Sequence, residues 1–523
     1  MTKSRMFSTL LCAAVLMGVS AHASADPIEL IGIGQLPGTT SDGLVLSPAL
    51  LEDGVTPHDL VGGFGSAITY TGVGNRYLAT PDRGPADGLT TYNDRYYALE
   101  INVQLGAATP VTVSLDEATV LVNEAEQAFT GGIAAFDATG SSASLRLDPE
   151  GIRLDGLGGF LVSDEYGPYL YRFDATGKRS EVLGLPSKLL ISAPNAVATA
   201  ELPPGNSSGR QANRGMEGLA ISPDGTKLFG MMQNALIQDG ALSATNGRIG
   251  LNNRIVEIDV ATGVTRELVY VLDKASYGVN EIVAINDHEL LAIERDSAVG
   301  AAAAFKQLFK IDVTGASDVS GTAALPTGAL PAGVVPVQKA PFLDLLNPAF
   351  GLAGAGFPEK IEGLAFGPKL ADGRVLLIVT SDNDFVQANS SKLYAFAIEP
   401  SLLAYQPQLL STRVAVRPFL PWNIVRIGGR GVLPVAVYGS ALLPVSALDR
   451  ASLRVSGAPV AKLLGQRLCV SGDLDRDSFD DLLCAFSVGQ MNLSPNQTTA
   501  VLSGVTTSGT PVTGSDRIRV VGR

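Results

Sequence analysis

Four glutamates recur in similar surroundings along the chain: Glu150, Glu217, Glu281 and Glu362. Each opens a short unit. Glu150-Gly151-Ile152 runs on to Ser163-Asp164-Glu165, Glu217-Gly218-Leu219 to Met232-Gln233-Asn234, Glu281-Ile282-Val283 to Glu294-Arg295-Asp296, and Glu362-Gly363-Leu364 to Ser381-Asp382-Asn383-Asp384. Glu150, Asp164, Glu217, Glu281, Glu362 and Asp382 are thus candidate ligands that offer only oxygen. Carboxylates brought to one place repel unless a cation neutralises them. Hard oxygen donors favour Ca²⁺, with Mg²⁺ or Mn²⁺ as further options. Such an ion polarises a phosphoryl or carbonyl oxygen and activates water. Glu217, Glu281 and Glu362 are the candidate catalytic carboxylates. Arg83, Arg214, Arg295 and Lys360, beside acidic residues in sequence, are candidates to hold a substrate anion.

Other chemistries lack residues. The chain has only 3 His and 3 Cys. Neither His58 nor His288 lies in a sequence signature of a Ser-His-Asp triad, and zinc sites usually draw on His or Cys. The net charge of −13 argues against a nucleic-acid partner.

Repeated glutamates need repeated elements to position them. The units recur at intervals of roughly 65–80 residues, which suits four-stranded blades with loops. Within each, a short apolar strand leads through a Gly- or Asp-rich turn into a second strand ending in an acidic residue. A degenerate unit starts at Ser66 and reaches Asp82-Arg83-Gly84. The expectation is all-β: a propeller of five or six blades over residues 26–410, with six favoured. The sixth would use the strands near 28–36 and 393–398 and the wide interval between Ser66 and Glu150. Equivalent positions of successive blades converge on the axis, so the glutamates are expected to meet there.

Residues 1–25 read as a signal peptide, with Lys3 and Arg5, an apolar run and Ala23-Ser24-Ala25. Export to the periplasm or medium is expected, with cleavage after Ala25 and no membrane span. Residues 411–523 lack the glutamate unit and read as a small β-sandwich. They carry Asp473, Asp475, Asp477 and Asp481, whose spacing suits a Ca²⁺ loop, although Ser478 stands where a glycine usually turns. Cys469 and Cys484 form a disulfide or stay as two buried thiols.

Taken together, Asp82-Arg83-Gly84, Pro149-Glu150-Gly151-Ile152, Ser163-Asp164-Glu165-Tyr166-Gly167, Gly215-Met216-Glu217-Gly218-Leu219-Ala220, Asn280-Glu281-Ile282, Glu294-Arg295-Asp296 and Ser381-Asp382-Asn383-Asp384-Phe385 resemble the phytase-like domain family over roughly residues 55–400. The resemblance implies a propeller with esterase-like or phosphodiesterase-like activity. The leading expectation is a metal-dependent hydrolase of phosphate esters acting on a small anionic ester. A calcium-dependent esterase or lactonase and a non-catalytic binding or scaffold propeller are the alternatives.

Overall fold

A computed structural model describes residues 26–522 except 138–143, 168, 192 and 196. The expected signal peptide lies outside the described residues. In chain order the first strand, β1 (Ile28–Leu36), stands apart from those that follow it in sequence. Then come β2 (Ala67–Tyr70), β3 (Arg76–Thr80), β4 (Arg95–Val103) and β5 (Val111–Val120), which pair in sequence as one antiparallel sheet. A second sheet holds β6 (Pro149–Leu154), β7 (Gly159–Asp164), β8 (Tyr169–Asp174) and β9 (Arg179–Leu183). The third holds β10 (Met216–Ile221), β11 (Lys227–Met232), β12 (Asn252–Asp259) and β13 (Thr265–Val271). The fourth holds β14 (Gly278–Ala284), β15 (Glu289–Arg295), β16 (Lys306–Asp312) and β17 (Gln338–Asp344). The last has β18 (Ile361–Phe366), β19 (Val375–Ser381) and β20 (Ser391–Ile398), and β1 adds to its outer edge against β20.

The first strands of these sheets contact one another in a cycle, β2 to β6 to β10 to β14 to β18 and back to β2. Apolar clusters fill the five seams. Ile68 and Tyr77 pack with Leu376 and Ile378 across the closing seam, and the other four seams hold clusters of the same kind. The described residues therefore form five blades, where six were favoured. The strands assigned to a sixth are β1 and β20, both spent on completing the fifth blade. The wide interval after Ser66 holds β3, β4 and β5, the rest of the first. Pairing the N-terminal strand with β20 removes the open edge that the last sheet would otherwise expose.

Burial explains the strand sequences. The inner strands β6, β10, β14 and β18 are buried at every position and read as small or apolar runs. The outer strands β5, β9 and β17 are largely exposed and mix polar with apolar residues.

From Leu410 on, the chain forms two larger sheets and two two-stranded ones. One larger sheet contains Leu410–Ser411, Arg454–Val455, Ala458–Pro459, Thr499–Val505 and Pro511–Arg517; the other contains Val414–Val416, Val432–Val437, Cys469–Gly472 and Asp481–Ser487. Leu502 and Val512 of the first share a core with Val435, Leu482 and Phe486 of the second. Cys469 and Cys484 face each other across paired strands and are bonded. The module docks on one end of the propeller. Thr506 Oγ1 donates to Gly72 O at 3.0 Å, and the connecting segment crosses that end, with Leu409 N on Pro223 O at 2.7 Å.

Candidate functional site

The inner strands are interrupted at one place each. The pairing of β6 with β7 skips Glu150, and that of β10 with β11 skips Glu217. In β14 the skipped residue is Asn280, and in β18 the irregularity contains Glu362 and Gly363. An unpaired bulge residue turns its side chain away from the ladder, here toward the axis. Ser66, just ahead of the Ala67–Thr80 pair, holds the matching place in the first blade. The ring at this level is therefore Ser66, Glu150, Glu217, Asn280 and Glu362. The glycine after the bulge has a packing reason. A Cβ at Gly151 would stand 2.6 Å from Leu219 Cβ of the next blade, and one at Gly363 would lie 3.0 Å from Gly65 O.

This corrects the place of Glu281. It is one residue past the bulge, where the other units have glycine or alanine. Its Oε1 accepts from Leu219 N at 3.0 Å and Ile282 N at 2.8 Å, and its Oε2 lies 2.9 Å from Arg153 Nη2. Arg153 closes the axis below the ring. It donates to Ile68 O at 2.8 Å, Ile152 O at 2.6 Å and Ile282 O at 2.7 Å, which joins three blades. Burial pushes the Glu281 carboxyl up to about 8 against the Arg153 charge and both amides. Glu281 ties blades together and does not stand with the other glutamates.

A residue at or just past the end of each second strand supplies a further ring. Matching the registers places Asp82, Glu165, Gln233, Arg295 and Asp382 at equivalent points. Asp164 was expected here, but it lies one residue early. Its carboxylate accepts from Asp148 N at 3.0 Å, Tyr166 N at 3.0 Å and Gly167 N at 2.8 Å, which shapes the turn. Burial lifts it to about 6 in spite of these donors. Asp296 is likewise a turn former, capping Ala304 N and Phe305 N and pairing with Lys306 at 3.0 Å.

The two rings interlock. Arg295 Nη2 pairs with Glu362 Oε1 at 2.6 Å, and Gln233 Nε2 donates to Glu217 Oε1. Lys360 Nζ bridges Asp82 at 2.9 Å, Asp382 at 3.0 Å and Asp384 at 3.0 Å. Arg83 Nη1 pairs with Asp148 at 2.7 Å and lies 3.9 Å from Glu165. Arg83 is thus committed to carboxylates, so the structure does not leave it free for a substrate anion as expected. Asp382 is held by Lys360, and burial lifts it to about 7.

What remains is an acidic surplus around Glu150. Oxygens of Asp82, Asp148 and Glu150 lie within 4.8 Å of one another, as do those of Glu150, Glu165 and Glu217. All five residues are buried. Glu217 Oε2 and Asp148 Oδ1 are buried without partners. Burial, then the neighbouring carboxylates, push Glu150 and Glu217 well above their ordinary range. Burial also raises Asp148, against the pull of Arg83. Asp82 is pushed up by burial too, yet Lys360 and Arg83 outweigh it and hold it low. Unpartnered oxygens converging on one shared residue fit a hard divalent cation, and Asp82, Asp148, Glu150, Glu165 and Glu217 are the residues that would hold it.

Asp148, Glu165, Asn280 and Arg248 escaped the sequence reading. The first two flank residues already chosen. Asn280 breaks the Glu pattern, and only the ladder register reveals it. Arg248 sits in a loop with no repeat signal. In the C-terminal module, Asp473, Asp475 and Asp481 bring oxygens within 4.8 Å, while Asp477 is outside that group and caps Phe479 N at 2.9 Å. Buried Asp481 accepts from Gly439 N at 3.0 Å and Leu474 N at 2.7 Å, and Asp475 pairs with Arg413.

The strand topology and axial carboxylates define an all-β propeller with an acidic funnel at one end. The chain belongs to the phytase-like family described as "Esterase-like activity of phytase", which matches residues 59–385. An uncharacterized secreted protein of Arthroderma benhamiae is 27% identical over an alignment of 347 residues that covers 52% of this chain and 66% of that relative's length. Among solved structures, a luciferin-regenerating enzyme overlaps with TM-score 0.27 and 10% identity, covering 66% of this chain and 95% of its own. The calcium-binding protein regucalcin of Agrobacterium tumefaciens overlaps with TM-score 0.28 and 12% identity, covering 66% of this chain and 94% of its own. The blade architecture stands on the strand pairing itself.

Proposed function

We propose that the chain is an exported, metal-dependent hydrolase of phosphate esters. One observation carries this reading: a buried carboxylate cluster centred on Glu150 faces guanidinium groups across the same funnel. A divalent ion held by Asp82, Asp148, Glu150, Glu165 and Glu217 would supply Lewis-acid polarisation of a phosphoryl oxygen and activation of a water. Ca²⁺ suits the oxygen-only set, and Mg²⁺ or Mn²⁺ are alternatives. The chain's own residues position the rest. Arg83 and Lys360 hold Asp148, Asp82 and Asp382 in place, Gln233 orients Glu217, and Glu362 fixes the Arg295 guanidinium at the funnel wall. Arg153 shuts the axis below, so a substrate enters and leaves by one mouth. Membership of the phytase-like family supports ester hydrolysis. Export is supported by the leader-like N-terminus and by the secreted relative's description.

The test is hydrolysis of phosphomonoesters, phosphodiesters, carboxylic esters and lactones by the purified chain with Ca²⁺, Mg²⁺ or Mn²⁺. Cleavage of a phosphate ester that a chelator abolishes and Glu150→Gln cripples is expected. Cleavage of lactones or carboxylic esters alone refutes the phosphate assignment, and no cleavage with any ion refutes the hydrolase.

A further inference from the structure

The funnel has a second half made of donors. Arg295 is 7% exposed; its Nη2 pairs with Glu362, its Nη1 reaches only Asp296 O at 3.3 Å, and its buried Nε has no partner. Asn280, on the bulge ring between Glu217 and Glu362, is 1% exposed, and its Nδ2 has no acceptor. Arg214, just ahead of β10, donates to Gln233 Oε1. Arg248, from the loop between β11 and β12, reaches only Asn234 Oδ1, at 3.4 Å. Neither Arg214 nor Arg248 pairs with a carboxylate among the described residues. Arg214 sits on Gln233 and Arg248 on the adjacent Asn234, and Gly278, which pairs with Arg295, would bring a Cβ within 3.2 Å of Gln233 Cγ, so the three arginines gather round one corner; burial and the positive charges of Arg214 and Arg295 bring Arg248 down to about 10.

Glu362 offsets Arg295, and Glu217 lies within electrostatic reach of Arg214 and Arg295, but Arg248 has no carboxylate partner among the described residues and two buried donors stand unused, so a bound anion would offset the charge that is left. Guanidinium forks match tetrahedral oxyanions in a bidentate way, and a side-chain amide adds a donor without charge. The acceptors that touch this half, Glu362 and Gln233, are already engaged. The cation-holding carboxylates lie on the other side, chiefly on the first two blades.

We infer that Arg214, Arg248 and Arg295, with Asn280 Nδ2, form a subsite for a phosphoryl dianion, opposite the Glu150 cluster. The inference rests on the phosphate-ester reading for its role, but anion binding itself can be measured without turnover. A phosphomonoester would then lie with its charged group against the three arginines. The first two blades, with Glu217 of the third, supply the cation side, and Arg214, Arg248, Asn280 and Arg295 of the third and fourth supply the anion side.

The experiment titrates inorganic phosphate, sulfate and acetate into the purified full chain by calorimetry, with and without Ca²⁺. Phosphate is expected to bind more tightly than acetate. Arg248→Gln and Arg214→Gln are each expected to weaken phosphate by about tenfold or more, the loss of a charge-assisted fork. Ca²⁺ affinity and the urea midpoint should stay at the wild-type level. If Arg248→Gln fails to fold, Arg248→Lys replaces it; it keeps the charge, loses the fork and should bind phosphate with intermediate affinity. No phosphate binding at millimolar concentration, acetate preferred over phosphate, or an unchanged affinity in the arginine variants would overturn the subsite. Phosphate binding that depends on Arg248 without any ester cleavage would sink the hydrolase and leave the subsite standing. Ester cleavage with phosphate affinity indifferent to Arg248 would do the reverse.

Discussion

Arg153→Met removes the plug that holds the axis together. In the native chain its guanidinium serves the carbonyls of Ile68, Ile152 and Ile282 and faces Glu281 at 2.9 Å. Methionine keeps much of the length and none of the donors. Breaking a buried charge pair by deleting one partner costs about 3–5 kcal/mol. Each carbonyl left unsatisfied adds about 1–3 kcal/mol, unless water reaches it. Arg153 lines a cavity of 360 Å³ between the blades and the C-terminal module, so water can reach these carbonyls, and the loss should approach the charge-pair figure only where Glu281 is ionised, above about pH 8. The pH dependence has a definite sign. The folded Glu281 carboxyl titrates at about 8, above its unfolded value. Its favourable contribution is complete below the unfolded value and is lost as pH rises through about 8. Without Arg153 that group moves higher still, so the variant should lose more stability at pH 9 than at pH 6. Urea unfolding of the wild type, Arg153→Met, Glu281→Gln and the double variant closes the cycle. The double variant should be more stable than Arg153→Met alone, because the uncompensated acid is gone. A single variant within about 1 kcal/mol of wild type at both pH values would refute the reasoning.

Further outcomes follow from the same geometry. Glu150→Gln should raise the melting temperature of the metal-free chain, since it relieves repulsion, and should abolish most of the rise that saturating Ca²⁺ gives, about 2.7 kcal/mol at a hundredfold excess over the dissociation constant; equal Ca²⁺ shifts in both chains would count against the cluster. Lys360→Met should abolish activity and weaken folding, because it leaves Asp82, Asp382 and Asp384 without their shared cation, and a variant with full activity would show that Lys360 positions nothing. Reducing the Cys469–Cys484 bond, with a separation of 15 residues, should cost about 3 kcal/mol, read as a lower urea midpoint in dithiothreitol. Asp481→Ala should destabilise the C-terminal module by about 2 kcal/mol through the Gly439 and Leu474 amides, read by the loss of their hydrogen-exchange protection.

The sequence by itself determined the kind of protein. Repeated Glu-Gly units between short apolar runs imply stacked blades, because an inner strand buried on both faces must be small and apolar except where it meets the axis. The same units marked Glu150, Glu217 and Glu362 as axial, and scarce His and Cys left oxygen as the main ligand. Tertiary structure decided the membership of the rings. A bulge adds one residue to one strand, and a slip of one residue moves a side chain to the other face. Counting glutamates therefore chose Glu281 over Asn280 and Asp164 over Glu165, although the bulge register sends Asn280 and Glu165 to the funnel and ties the other two into the frame. Blade number also waited on the fold, since β1 looks like a spare strand until it pairs with β20. Arg248 was invisible for a related reason: a loop residue has no period, and only folding brings it beside Arg214 and Arg295.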